Sequence, residues 1–136
     1  KDYESAKQIL QQEGVVVMGG VAPGQTTDAV GAALAEYTDA DLLIYATSVD
    51  GVYDEDPKLN PNATRFDELT PGELVEIISG MEMVAGNPAP VDLLASKLIE
   101  RSGIKTVVID GSNPTNVLSA VLEGEYSGTV INSDGK

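Results

Sequence analysis

The sequence contains no cysteine, no histidine and no tryptophan. Without cysteine there is no disulfide, no thiolate zinc site and no cysteine nucleophile. Without histidine, a Ser-His-Asp triad and an HExxH zinc site are excluded within these residues. Positive charge is scarce: 8 Lys and Arg stand against 22 Asp and Glu, a formal net charge of −14 in 136 residues. Such a charge repels phosphate backbones and anionic lipid, so neither a nucleic acid nor a membrane is expected as a partner. No apolar run reaches the ~18–20 residues that span a bilayer, and no secretory signal pattern is visible, so a cytoplasmic location is expected.

The hydrophobic fraction is nevertheless 42%, too high for a disordered acidic tail and enough for one packed core. Self-repulsion should loosen that core in dilute buffer. It should fade in molar salt, where the Debye length is about 3 Å. A protein of a salt-rich cytoplasm is expected, against the plainer alternative of an ordinary acidic protein. The chain opens with Lys1 inside a helical pattern (Tyr3, Ala6, Ile9, Leu10), and an N-terminal portion is expected to be missing.

Along the chain, strand-like and helix-like segments alternate. Val15–Met18 reads as a strand buried on both faces, bounded by Gly14 and Gly19-Gly20. Thr26 or Thr27 can cap a helix with Val30, Ala33, Leu34 and Tyr37 on one side. Leu42–Ala46 reads as a second buried strand. Thr47–Phe66, with Gly51, Pro57 and Pro61, forms a loop longer than a passive connection needs. Thr70-Pro71-Gly72-Glu73 is a capping box that opens the next helix, with Leu74, Ile77 and Ile78 as its apolar stripe. Gly80–Pro90 is a further loop. A helix over about Val91–Ser102 ends at Gly103, and Thr106–Ile109 is a third strand. Asn113-Pro114 opens a last helix with Val117, Leu118, Val121 and Leu122 inward, and Gly128–Ile131 is a short final strand. The alternation predicts a three-layer α/β/α sandwich around a mainly parallel sheet. Ligands then belong outside the carboxyl ends of its strands.

That rule selects three segments. The first is Gly19-Gly20-Val21-Ala22-Pro23-Gly24-Gln25-Thr26-Thr27-Asp28. Its glycines allow close backbone approach, and the helix start behind them favours an anion. It is neither a Walker A loop nor a Rossmann fingerprint, and a tight turn plus helix cap is the simpler alternative. The second is Thr47-Ser48-Val49-Asp50-Gly51-Val52-Tyr53-Asp54-Glu55-Asp56-Pro57. It lacks the EF-hand order. A solvated acidic loop is its usual meaning, yet Val52 and Tyr53 suit the face of a base. The third is Pro90–Lys97, where Asp92 either caps its helix or serves chemistry.

In this order and at these separations, the three segments resemble the amino acid kinase family, and within it the archaeal, haloarchaeal-like uridylate (UMP) kinase branch. The likeness runs from about Gly14 to Ile131. It implies that residues 1–136 are the C-terminal portion of a single kinase domain, holding an ATP-binding lobe and a UMP loop. It further implies transfer of the γ-phosphoryl of ATP to UMP, in pyrimidine nucleotide biosynthesis, with Mg²⁺ accompanying ATP. Val21, Ala22, Pro23, Gly24, Gln25, Thr26 and Thr27 would line the UMP site. Thr47, Val52, Tyr53 and Asp56 would contact ATP. Asp28 and Asp92 would organise the transfer, and no side chain is assigned as a direct metal ligand. A homo-oligomer is implied, hexameric in intact family members. The family's N-terminal glycine loops and essential lysine have no counterpart in this sequence. The isolated 136 residues are therefore expected to bind nucleotide weakly and to turn over nothing measurable. The alternatives are another member of the family, acting on acetylglutamate, aspartate, isopentenyl phosphate or carbamate, or a non-catalytic nucleotide-binding module.

Overall fold

The structure, a computed structural model, describes residues 2–21, 23–82 and 89–133. Its elements are α1 (Tyr3–Glu13), α2 (Thr27–Tyr37), β1 (Leu43–Thr47), β2 (Glu68–Leu69), α3 (Pro71–Glu82), α4 (Leu93–Ser102), β3 (Thr106–Asp110), α5 (Pro114–Leu122) and β4 (Gly128–Ile131). The strands form one four-stranded sheet in the order β1-β3-β4-β2. β1 pairs with β3 and β2 with β4 in parallel, while β3 and β4 run antiparallel. Two of its three pairings are therefore parallel, in a sheet that is mixed as a whole.

Alternation along β3 builds both faces of the core. Val108 faces α2, α3 and α4, packing in a cluster with Ala32, Leu74, Ile78, Ala95 and Ile99. Val107 and Ile109 face the other way, towards Ala120 and Val117 of α5. The layers are thus helices, sheet, helix, as the alternation predicts.

Helix boundaries follow local chemistry. In the capping box, the Thr70 N–H donates to Glu73 Oε1 at 2.9 Å, and the Glu73 N–H donates to Thr70 Oγ1 at 3.2 Å. Gly103 closes α4 at φ 70°, where a side chain would be strained.

Several expectations need correction. Val15–Met18 is not a strand: Val15 and Val17 are 73% and 92% exposed. A β-branched run is buried only where a neighbour completes its ladder, and no described strand pairs with it. The second strand is Leu43–Thr47, and only Tyr45 within it is buried, because β1 lies at the edge of the described sheet. The buried stripe of α2 is Ala29, Val30, Ala32 and Ala35. Tyr37 is exposed and its hydroxyl bonds to Glu4 of α1. On α5, Val117 and Ala120 pack inward, whereas Leu118, Val121 and Leu122 are 57%, 58% and 71% exposed. The small Ala120 brings the helix close to β3 and turns the larger side chains outward. The strand β2 was not foreseen, and α3 runs past Gly80 to Glu82. Of the rest of the expected loop, residues 83–88 lie outside the described residues, and Ala89 and Pro90 belong to neither helix nor strand.

Candidate functional site

The carboxyl end of β1 delivers Thr47, whose hydroxyl accepts the Val49 N–H at 3.0 Å and turns the chain out of the sheet. Residues 52–54 and 64–66 then fold back on each other. Phe66 N–H donates to Val52 O at 2.9 Å and Asp54 N–H to Thr64 O at 3.0 Å. A buried hydroxyl fixes the base of this excursion: Thr129 Oγ1 of β4 accepts the Val52 N–H at 2.9 Å and donates to the Phe66 carbonyl. Gly51 passes beside it at φ 152°, where an added Cβ would stand 2.7 Å from the Thr129 hydroxyl.

Under the excursion lies a cavity of about 270 Å³. Thr47, Tyr53 and Asp56, three of the four residues that the resemblance assigns to ATP, line it. Val52 does not: it is fully buried and belongs to the core. The Tyr53 hydroxyl donates to Asp50 Oδ1 at 2.7 Å, which raises the affinity of the phenol for its proton. Asp56 holds its own turn, with Oδ1 accepting the Lys58 N–H at 2.9 Å. The remaining walls include Ser48, Lys58, Met81, Ala89 and Pro90. Hydroxyls, a carboxylate and a cation thus share the space with a ring, a thioether and the apolar Val49, Pro57, Ala89 and Pro90, a lining suited to a molecule that is part flat and part polar.

The second site residues gather at the starts of α2 and α4. Thr26 caps α2, its Oγ1 accepting the Ala29 N–H at 3.1 Å. Asp92 caps α4, its Oδ1 accepting the Ala95 N–H at 2.7 Å. The two caps meet: the Thr26 hydroxyl donates to Asp92 Oδ2. Asp28, in the first turn of α2, stands close enough to Asp92 to feel its charge. Burial first, and Asp92 second, raise the pKa of Asp28, while the Asp92 backbone N–H opposes them. Below this pair, the Tyr45 hydroxyl donates to the Asp28 carbonyl at 2.6 Å. Burial and both carboxylates push Tyr45 far above its usual range, so it remains a neutral donor.

The loop ahead of α2 is open. Pro23, Gly24, Gln25, Thr26 and Thr27 are exposed and Val21 is half-buried. Ala22 lies outside the described residues. This loop and the cavity adjoin along one strand and one segment. Tyr45 reaches Asp28 and, two residues on, Thr47 lines the cavity; Asp92 bonds Thr26 and, two residues before it, Pro90 lines the same cavity.

Sequence reasoning missed Tyr45, Lys58 and Met81. Tyr45 carried a faint signal as the one hydroxyl-bearing residue of the otherwise aliphatic Leu42–Ala46 run, and Lys58 as one of only 8 basic residues. Among the described residues there is no group of three or more acidic, histidine or cysteine side chains that could hold a metal. No described helix is long and apolar enough to cross a membrane.

The model of the amino acid kinase family matches residues 1–110. The uridylate kinase of Haloquadratum walsbyi is 56% identical over 137 aligned residues, which cover 100% of this chain and 57% of that protein. The uridylate kinase of Halobacterium salinarum is 57% identical over 135 residues, 99% of this chain and 56% of that protein. Among solved structures, the uridylate kinase of Archaeoglobus fulgidus aligns with a TM-score of 0.84 at 51% identity, over 96% of this chain and 57% of that one. The chain thus spans a little over half the length of the curated relatives that it matches.

Proposed function

Because the chain belongs to the amino acid kinase family, we propose that it supplies the two nucleotide sites of a UMP kinase, which moves the γ-phosphoryl of ATP to UMP and yields ADP and UDP. The observation that carries this reading is the shared cap. The Thr26 hydroxyl bonds Asp92, two residues beyond a wall of the cavity, and so sets the exposed loop beside that cavity. The identities with haloarchaeal uridylate kinases support uridylate as the acceptor.

In this reading ATP occupies the cavity, with Thr47 and Asp56 offering polar contacts and the Tyr53 ring facing the base. UMP lies along residues 21–27, above the N-terminus of α2, where unpaired N–H groups favour its phosphate. Phosphoryl transfer depends on in-line placement and charge neutralisation more than on covalent help. Asp28 and Asp92 cannot neutralise phosphate themselves. They orient the groups that do: Asp92 is held at the start of α4 by the Ala95 N–H, and Asp28 stands in the first turn of α2. Mg²⁺ brought in with ATP would be held through its water shell beside this pair, where burial first and the charge of Asp92 second raise the pKa of Asp28. When bound, the ion would offset charge on the phosphoryl group. A homo-oligomeric, hexameric assembly in the cytoplasm completes the proposal.

A melting series with UMP, UTP, ATP and acetylglutamate tests it. UMP and ATP should each raise the melting temperature, with about 2.7 kcal/mol gained at a hundredfold excess over Kd. Stabilisation by acetylglutamate without UMP would move the chain to another acceptor. Stabilisation by ATP alone would favour a nucleotide-binding module.

A further inference from the structure

We propose that Arg65 is a positioning residue for the donor nucleotide, holding the ring of Tyr53 at the cavity through the carboxylate of Asp50. The proposal rests on the reading of that cavity as the ATP site.

The excursion brings Tyr53 and Arg65 opposite each other as an isolated antiparallel bridge. Arg65 Nη1 donates to Asp50 Oδ2 at 3.2 Å and to Ser127 Oγ at 3.2 Å. The other oxygen of Asp50 accepts the Tyr53 hydroxyl at 2.7 Å. One carboxylate therefore joins a guanidinium to a phenol. The guanidinium is tied in turn to Ser127, just ahead of β4. Asp67 is a weaker neighbour, 3.8 Å from Nη2.

The backbone of the excursion does not need this relay. Thr129 already fixes Val52 and Phe66, and the Phe66–Val52 and Asp54–Thr64 bonds close the rest. The side chains of Arg65 and Asp50 are 28% and 48% exposed, and ion pairs so placed add little to stability. What the relay determines is orientation. The bond from its hydroxyl to Asp50 fixes where the half-buried Tyr53 ring points, and Arg65 in turn anchors the far oxygen of Asp50. A flat, planar donor such as a guanidinium suits that bridging task, and an ammonium suits it less well.

Calorimetric titration of the 136-residue chain with ADP and, separately, with UMP tests the proposal. Arg65→Met should weaken ADP about fivefold, the loss of one hydrogen-bonded constraint, and leave UMP unchanged. In a Tyr53→Phe background the same substitution should change ADP affinity less than about twofold, because the coupled partner is already gone. Arg65→Lys should fall between Met and wild type, and it carries the test if the Met variant does not fold. An Arg65 variant that binds ADP as wild type does, an equal loss for UMP, or a full fivefold loss in the Tyr53→Phe background would each overturn the proposal while leaving the donor site intact. A wild-type chain that fails to bind ADP would overturn the donor site itself, and this role with it.

Discussion

Asp28 carries a cost that its surroundings impose. Burial and the charge of Asp92 raise its pKa, so the folded chain binds this proton more tightly than the unfolded chain does. Stability from this group is therefore greatest when the carboxyl is protonated, and it falls as pH rises through the raised pKa. Asp28→Asn removes the penalty and keeps an oxygen to accept a backbone N–H. Calorimetry should find the variant melting higher than wild type at pH 7, with the gap closing below about pH 4, where an unperturbed carboxyl also takes up its proton. A variant that melts lower at neutral pH would show that the carboxylate stabilises the fold. In a competent UMP kinase the same change should cut turnover far more than UMP affinity, the pattern of a group kept for the transfer despite its cost.

Within the sheet, β4 lies between β3 and β2. Gly128 opens that strand opposite Ile109, and a Cβ there would collide with the Val108 carbonyl and stand 2.9 Å from Ile109 Cγ2. Gly128→Ala must push β4 away from the central strand, at a cost of about 1–3 kcal/mol. A urea midpoint equal to wild type would refute this close approach. Gly128 also shows where the sequence is silent. A short Gly-Thr-Val-Ile run indicates a strand but not its direction, and β4 is the strand that turns a parallel pattern into a mixed one. Helices were legible because their signals are local: the Thr70–Glu73 box, the Asn113-Pro114 start and the Gly103 stop all act within a few residues. Val15–Met18 and the outer face of α5 misled because their burial depends on neighbours distant in sequence. At the site, the glycine-rich loop and the acidic loop could be recognised by residue order. Arg65 could not, since its partner Asp50 is 15 residues away, and nothing short of the folded excursion brings them together.

At the scale of the molecule, the charge of −14 leaves most carboxylates without a cationic partner. The described ion pairs are Arg65 with Asp50 and with Asp67, and Arg101 with Glu36, and none has both partners buried. Screening should then help the fold more than it harms these pairs. The melting temperature should climb between dilute buffer and molar KCl. A flat or falling curve would mean that the acidity is incidental and that no adaptation to salt is present.

The hydroxyl of Thr26 is shared between two helices, accepting from one and donating to the other. Neither helix can shift its first turn without disturbing its neighbour. If the proposed sites hold, a guest that tugs on the loop ahead of α2 would perturb the wall against which the neighbouring guest would rest. Linkage makes that influence symmetric: whatever factor the first imposes on the second, the second returns unchanged.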